Sequence, residues 1–401
     1  MRMNQWMPFV LALEMFFVVN ANAGNQSITE NIQQIQLPQC LASKISADYT
    51  LLAENKSFKI FDIPLKDMDK LSLLADNMHC GRFVNVSHHM ISGSKALYLR
   101  KLTAISLLNK PLVPTSVHEE IYLIKHVGEV FQAIHEINQN NLINTIHRLA
   151  QFYNRSATER TGVLATNVIR DYFIDMTNKY QRLDASFRFV NTGPSFKQRS
   201  LVAVLGKDIK APAVVIGAHL DTLGGRMPGA DDDASGAATV LEIARILLES
   251  KTPLTHPIYF IWYAAEERGL VGSQRVAEYF KKSSIPVKAV IQLDMTGYRK
   301  EAQDTMWLIT DYTNPNLTNF MESLIDTYIG VPTGRSQCGY GCSDHASWTA
   351  IGVPAVFPFE TSFENHNETV HTSKDTIERL SPEHMVNFAK LGLAFAIELA
   401  S

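Results

Sequence analysis

The chain has 401 residues, 46% of them hydrophobic, which is enough for a large domain with an accessory segment and excludes a disordered protein. Its formal net charge of -3 comes without a dense Lys/Arg stripe, so there is no electrostatic case for a nucleic-acid partner.

In chain order, Arg2 precedes an apolar stretch from Trp6 to Val19, broken only by Glu14, and Ala21-Asn-Ala23 follows. A positive start, an apolar middle and a small-x-small end predict that residues 1–23 are a removed secretory signal. The stretch is shorter than the roughly 20 residues a membrane span needs, and nothing later reads as a span. The protein is therefore expected outside the cell, with no membrane partner after signal cleavage. Export also bears on the cysteines, because an oxidising compartment favours a Cys338–Cys342 disulfide over a zinc pair. Parity alone then leaves Cys40 to pair with Cys80.

Residues 24–115 contain polar stretches, the strand-like run Phe58-Lys-Ile-Phe-Asp-Ile63, the segment Leu97-Tyr-Leu99 and none of the candidate site residues. Pro111, Pro114 and Thr115-Ser116 punctuate the end of this segment as a linker, leaving 116–401 as one α/β domain. From His118 onward a helical pattern runs through Ile124, Val127, Val130, Phe131, Ile134 and Ile137, with a second from Leu142 to Phe152. Helices are also expected over 162–180 and 234–249, and strands over 185–190 and 200–205.

Three further apolar runs read as buried strands, and each ends in a potential metal ligand: Ala213 to Ala218 before His219, Ile258 to Ala265 before Glu266-Glu267, and Ala289 to Leu293 before Asp294. In open α/β sheets the ligand site lies beyond the carboxyl ends of the strands, so these groups should converge. Two more patches complete the inventory, Asp231-Asp232-Asp233 and His371-Thr-Ser-Lys-Asp375. Imidazole and carboxylate ligands, a bridging carboxylate and a base are what two-metal hydrolysis requires. Asp221 is spaced to accept the other ring N–H of His219, and Asp375 to serve His371 likewise.

The chain resembles the secreted two-zinc leucyl aminopeptidases of bacteria over residues 118–401. The resemblance rests on Gly217-Ala-His-Leu-Asp-Thr222, Pro228-Gly-Ala-Asp-Asp-Asp-Ala-Ser-Gly236, Ala264-Ala-Glu-Glu-Arg-Gly-Leu270, Gln292-Leu-Asp-Met-Thr-Gly297, Cys338-Gly-Tyr-Gly-Cys342-Ser-Asp-His-Ala-Ser-Trp348 and His371-Thr-Ser-Lys-Asp-Thr376. It implies a three-layer α/β sandwich with a mixed, mostly parallel central sheet, two Zn2+ ions, and peptide or protein N-termini as substrate for a monomer. It further implies Glu267 and His371 on one ion, His219 and Asp294 on the other, and Asp232 bridging both, with Asp231 as the alternative and a cis bond after Asp232. Glu266 would be the general base and acid, Tyr340 would hydrogen-bond the reacting carbonyl, and Met295, Phe357, Phe359, Phe363 and Val370 would line an apolar pocket. By the same resemblance residues 24–115 are expected to be a prosegment. His345 reads as a structural histidine beside the site. The alternatives are a glutaminyl cyclase with one zinc and a non-catalytic domain of the same fold; the full acidic triplet with Ser235-Gly236 and the presence of Glu266 argue against them.

Overall fold

The computed structural model describes residues 31–45, 49–78, 81–89, 97–109, 120–250, 252–300 and 304–401. The expected signal at 1–23, the linker at 111–116 and Cys80 lie outside these residues, so neither the leader nor a Cys40–Cys80 pairing is described.

Residues 31–109 build a four-stranded antiparallel sheet in the order β2-β3-β1-β4. Its elements are β1 (Ile32–Pro38), the single turn α1 (Gln39–Ala42), β2 (Thr50–Glu54), β3 (Phe58–Pro64), α2 (Met68–Met78), β4 (Val84–Asn85) and α3 (Leu97–Leu108). Alternation along the strands gives this small sheet two apolar faces. Ile35, Leu37, Phe61 and Ile63 pack with Leu71 and Ala75 of α2, while Leu52 and Ile60 pack with Ala104 and Leu107 of α3. Leu97-Tyr-Leu99 opens helix α3. A three-residue apolar run fits either period, and the deciding pattern lies downstream, where Ala104, Leu107 and Leu108 recur at helical spacing against the sheet.

The larger part follows as α4 (Val127–Ile134), α5 (Gln139–Ala150), α6 (Arg160–Lys179), β5 (Ala185–Val190), β6 (Ser200–Leu205), β7 (Ala213–His219), α7 (Ala234–Glu249), β8 (Ile258–Tyr263), α8 (Val271–Lys282) and β9 (Val287–Gln292). It ends with β10 (Met306–Ile309), α9 (Pro315–Tyr328), β11 (Thr333–Ser336), α10 (His345–Thr349), β12 (Ala355–Phe359) and α11 (Pro382–Ala400). The helix expected from His118 begins only at Val127. The carboxylate of Glu398 on α11 accepts the amides of Lys125 at 2.6 Å and His126 at 3.0 Å, which holds the approach in an irregular path.

Eight strands form one mixed sheet in the order β11-β10-β12-β9-β7-β8-β6-β5, whose central run β12-β9-β7-β8 is parallel. Both faces are covered, as a parallel sheet demands. Val214, Ile216 and Ala218 of β7 enter a core shared with α7 and α11, whereas Val215 enters the core on the opposite face with Val276 and Phe280 of α8 and Trp348 of α10. No helix among the described residues is long and apolar enough to cross a membrane.

Candidate metal centre

β7 lies between β8 and β9, so the chain crosses through α7 to one side and later returns to the other. Such a reversal of strand order opens a crevice at the carboxyl ends of the strands. His219 is the last residue of β7, and Asp294 follows the end of β9 by two residues. After β8 stops at Tyr263, Ala265 adopts φ 55°, which breaks the pleat and releases Glu266 and Glu267 from strand alternation. The acidic triplet enters α7, where a Cβ on Gly236 would lie 1.9 Å from the carbonyl oxygen of Leu293, so only glycine lets the helix start this close to the end of β9. The peptide bond between Asp232 and Asp233 is cis, as the resemblance implies.

These residues meet. Asp232 Oδ1 lies 2.8 Å from His219 Nε2, and its Oδ2 lies 2.9 Å from His371 Nε2. Asp294 Oδ1 is 3.4 Å from His219 Nε2, and Glu267 Oε2 is 3.2 Å from His371 Nε2. Donor atoms of His219, Asp232 and Glu267 fall within 4.8 Å of one another, as do those of His219, Asp233 and Asp294. Asp233 is the weaker candidate, because its oxygens already accept the amides of His219, Gly236 and Met295. Asp231, the alternative to Asp232, is turned away, accepting from Asn367 Nδ2 at 2.9 Å and from the Gly297 amide at 3.3 Å.

The electrostatics favour added positive charge. Burial would push Asp232 up, yet the facing imidazoles of His219 and His371 hold it well below the usual carboxylate range. Against the same burial, His371 and Arg82 draw Glu267 down to about 2. Burial would lower both histidines, but facing carboxylates, Asp294 for His219 and Glu267 for His371, hold them well above the ordinary imidazole value. Glu266 differs: burial raises it well above its ordinary value against the opposing charges of His219 and of Arg82, whose Nη1 lies 3.9 Å away. The residues fit divalent metal, because His371 Nε2 is buried without a hydrogen-bond partner among imidazole and carboxylate donors of the kind zinc takes.

Partners of these groups depart from expectation in two places. His219 Nδ1 lies 3.1 Å from the backbone carbonyl of Asp221, while the carboxylate of Asp221 is 3.7 Å away and accepts the amides of Glu266 at 2.9 Å and Glu267 at 3.3 Å. Asp221 thus orients the glutamate loop as well as the ring. Asp375 does not serve His371: its two oxygens accept the amides of Asp231 and Asp232 at 2.9 and 3.1 Å. His371 Nδ1 instead meets Asp76 Oδ2 at 2.6 Å, and Arg82 Nη2 meets Glu267 Oε2 at 2.8 Å. Both partners come from the N-terminal part, where no site residue is expected from the sequence, and neither stands in a motif. Also outside any expected role are Ser343, whose Oγ donates to Asp294 Oδ2 at 2.6 Å, and the fully buried Arg155, which donates to the carbonyls of Leu220, Pro228 and Gly229.

Met295, Phe357, Phe359, Phe363 and Val370 gather in one apolar cluster with Cys338 and Cys342, which are disulfide-bonded. The five apolar side chains and Cys342 line a cavity open to solvent, together with Tyr340, Glu266 and His371. His345 is not among the metal-facing groups. It lies against Phe357 at 4.9 Å between ring centroids, with Nε2 at 3.1 Å from the carbonyl of Asp311.

Residues 200–396 match the model of peptidase family M28. Leucine aminopeptidase 1 of Penicillium rubens is 35% identical over 292 residues, covering 69% of this chain and 76% of that protein. The chain belongs to peptidase family M28. Like the relatives that place it there, it is a metal-dependent aminopeptidase, a hydrolase of peptides. The crystal structure of Legionella pneumophila LapA aminopeptidase is 53% identical with a TM-score of 0.87, covering 92% of this chain and 98% of that one. LapB from Legionella pneumophila gives 42% identity, a TM-score of 0.85 and coverage of 92% and 99%. Residues 116–401 alone cannot supply such coverage, so the likeness to both M28 structures extends into the N-terminal sheet and helices.

Proposed function

We propose that this M28 enzyme is an exported aminopeptidase with two zinc ions that removes N-terminal residues with large apolar, Leu-like side chains from peptides. The observation that carries the reading is Asp232, whose two oxygens face two different imidazoles at 2.8 and 2.9 Å. Its position supports Asp232 as the bridging ligand, with His219 and Asp294 completing one metal set and His371 and Glu267 the other.

Bound zinc supplies a water acidified to a pKa near about 7 and polarises the scissile carbonyl. Glu266 takes the proton of the attacking water at a carboxylate oxygen and returns it to the leaving amine, a role suited to a buried carboxyl whose proton affinity is raised. The amides of Glu266 and Glu267 are fixed by Asp221, so base and ligand keep one geometry through turnover. Tyr340, on the cavity wall beside Glu266, is suited to donate its hydroxyl to the carbonyl oxygen as charge develops there. Phe357, Phe359, Phe363, Met295 and Val370 bury the side chain of the N-terminal residue. One methylene discriminates by only about 1–3 kcal/mol, so Leu, Met and Phe should all be accepted.

Hydrolysis of leucine-p-nitroanilide, measured before chelation, after it and after zinc is returned, tests the reading. Zinc-restored turnover with two equivalents bound is the expected result. Pyroglutamate formation in place of hydrolysis, or a single bound ion at full activity, would overturn it. Export rests on the apolar stretch at Trp6 to Val19 before Ala21-Asn-Ala23; an extracellular protein beginning at Gly24 supports it, and a protein held in the cytoplasm overturns it.

A further inference from the structure

The metal ligand expected to be oriented from four residues away is oriented instead from the other end of the chain. We infer that Asp76 is a positioning residue for His371, and that residues 31–109 therefore help to build the metal centre of the working enzyme. The inference rests on the reading of His371 as a metal ligand.

An imidazole bound to metal through one nitrogen has its direction and tautomer set by the acceptor on the other. His371 Nε2 points at Asp232 and Glu267, and its Nδ1 has the carboxylate of Asp76 at 2.6 Å. Asp375 is committed to the amides of Asp231 and Asp232, so it offers His371 no substitute. His371 also lies in a loop at φ 57°, outside any strand or helix that would hold its ring in place.

Asp76 is held firmly enough for this task. It lies in the last turn of α2, whose Asp69 pairs with Arg268 and whose Ser72 donates to the carbonyl of Glu267 at 3.4 Å. Beyond the helix, the Asn85 amide donates to the Gly269 carbonyl at 3.0 Å. The anchors converge on the loop that carries Glu266 and Glu267, so the N-terminal part grips the two sides of one metal set, Glu267 by its loop and His371 by its ring. Asp76 and Arg82 also line the cavity together with the aromatic wall, leaving its space open. A discarded prosegment would take part of this wall away with it.

The test uses the full-length chain carrying Asp76→Ala, Asp76→Asn or Asp76→Glu, stripped of metal and titrated with zinc against a chromophoric chelator. One of the two zinc dissociation constants should weaken by about 10–100-fold in the Ala variant and less in the Asn variant, with the other constant unchanged. Asp76→Glu should recover most of the loss, and the thermal midpoint of the stripped protein should not move. Unchanged zinc constants in both the Ala and Asn variants would overturn the inference. His371→Ala, titrated alongside, should weaken the same ion; if it leaves both ions in place, the ligand reading of His371 fails and the inference goes with it. If the stripped Ala variant is unstable, the Asn variant alone decides, since it keeps the size and an oxygen acceptor while lacking the charge.

Discussion

At the scale of single residues, two adjacent glutamates in one turn carry different electrostatics. Glu267 is drawn down to about 2 by His371 and Arg82 in spite of burial, while Glu266 is pushed up by burial against the opposing charges of His219 and Arg82. On the proposed reading the first stays charged against a cation and the second gains and loses a proton. Replacing Glu266 by Ala should therefore reduce kcat on leucine-p-nitroanilide by about 10²–10⁴-fold while zinc content stays at the parent level. A variant that keeps parental turnover removes Glu266 from the mechanism. A second residue-scale expectation concerns His345, whose burial pushes its pKa down from the ordinary imidazole value of 6.5 to about 4. The folded protein thus refuses a proton that the unfolded chain accepts, so the stability from the neutral ring is full above about pH 6.5 and is lost as pH falls toward 4. The gap corresponds to about 3 kcal/mol. His345→Gln keeps a donor for the Asp311 carbonyl, and urea unfolding at pH 7 and pH 5 should show a shallower acid loss than in the parent. Equal slopes would mean that His345 titrates normally.

At the scale of elements, the ends of β7, β8 and β9 were readable because each is a short apolar run that stops at a charged residue, and burial of such a run leaves its end as the only place for that charge. The helix over Ala234–Glu249 and the strands Ala185–Val190 and Ser200–Leu205 follow the same local logic of period and punctuation. The partner of His371 was not readable, because Asp76 stands 295 residues away with no pattern around it, and only packing brings the two together. One element contact has a direct test. Gly269 has φ 89°, and a Cβ there would lie 2.5 Å from the Asn85 amide nitrogen that docks β4. Gly269→Ala should cost about 1–3 kcal/mol in urea unfolding and make the N-terminal part more susceptible to limited proteolysis. Unaltered protease resistance would show that β4 docks without this close approach.

At the scale of the whole molecule, two sheets of different design share one crevice. The ends of β7, β8 and β9 in the eight-stranded sheet carry His219, Glu266, Glu267 and Asp294, the turn before α7 and a later loop add Asp232 and His371, and the small antiparallel sheet is fastened to the loop after β8. The apolar wall comes mostly from another strand of that eight-stranded sheet, β12, and the segment behind it, with Phe357, Phe359, Phe363 and Val370; Met295 adjoins Asp294, and Val370 adjoins His371. On the proposed reading, the three aromatics of the wall are thereby housed on backbone separate from the ligands. A lineage, or an engineer, can re-address such an enzyme to a different N-terminal residue by exchanging aromatics on β12 while leaving the glutamate loop as it stands, and Met295 and Val370 are the wall positions where the two tasks cannot be edited apart.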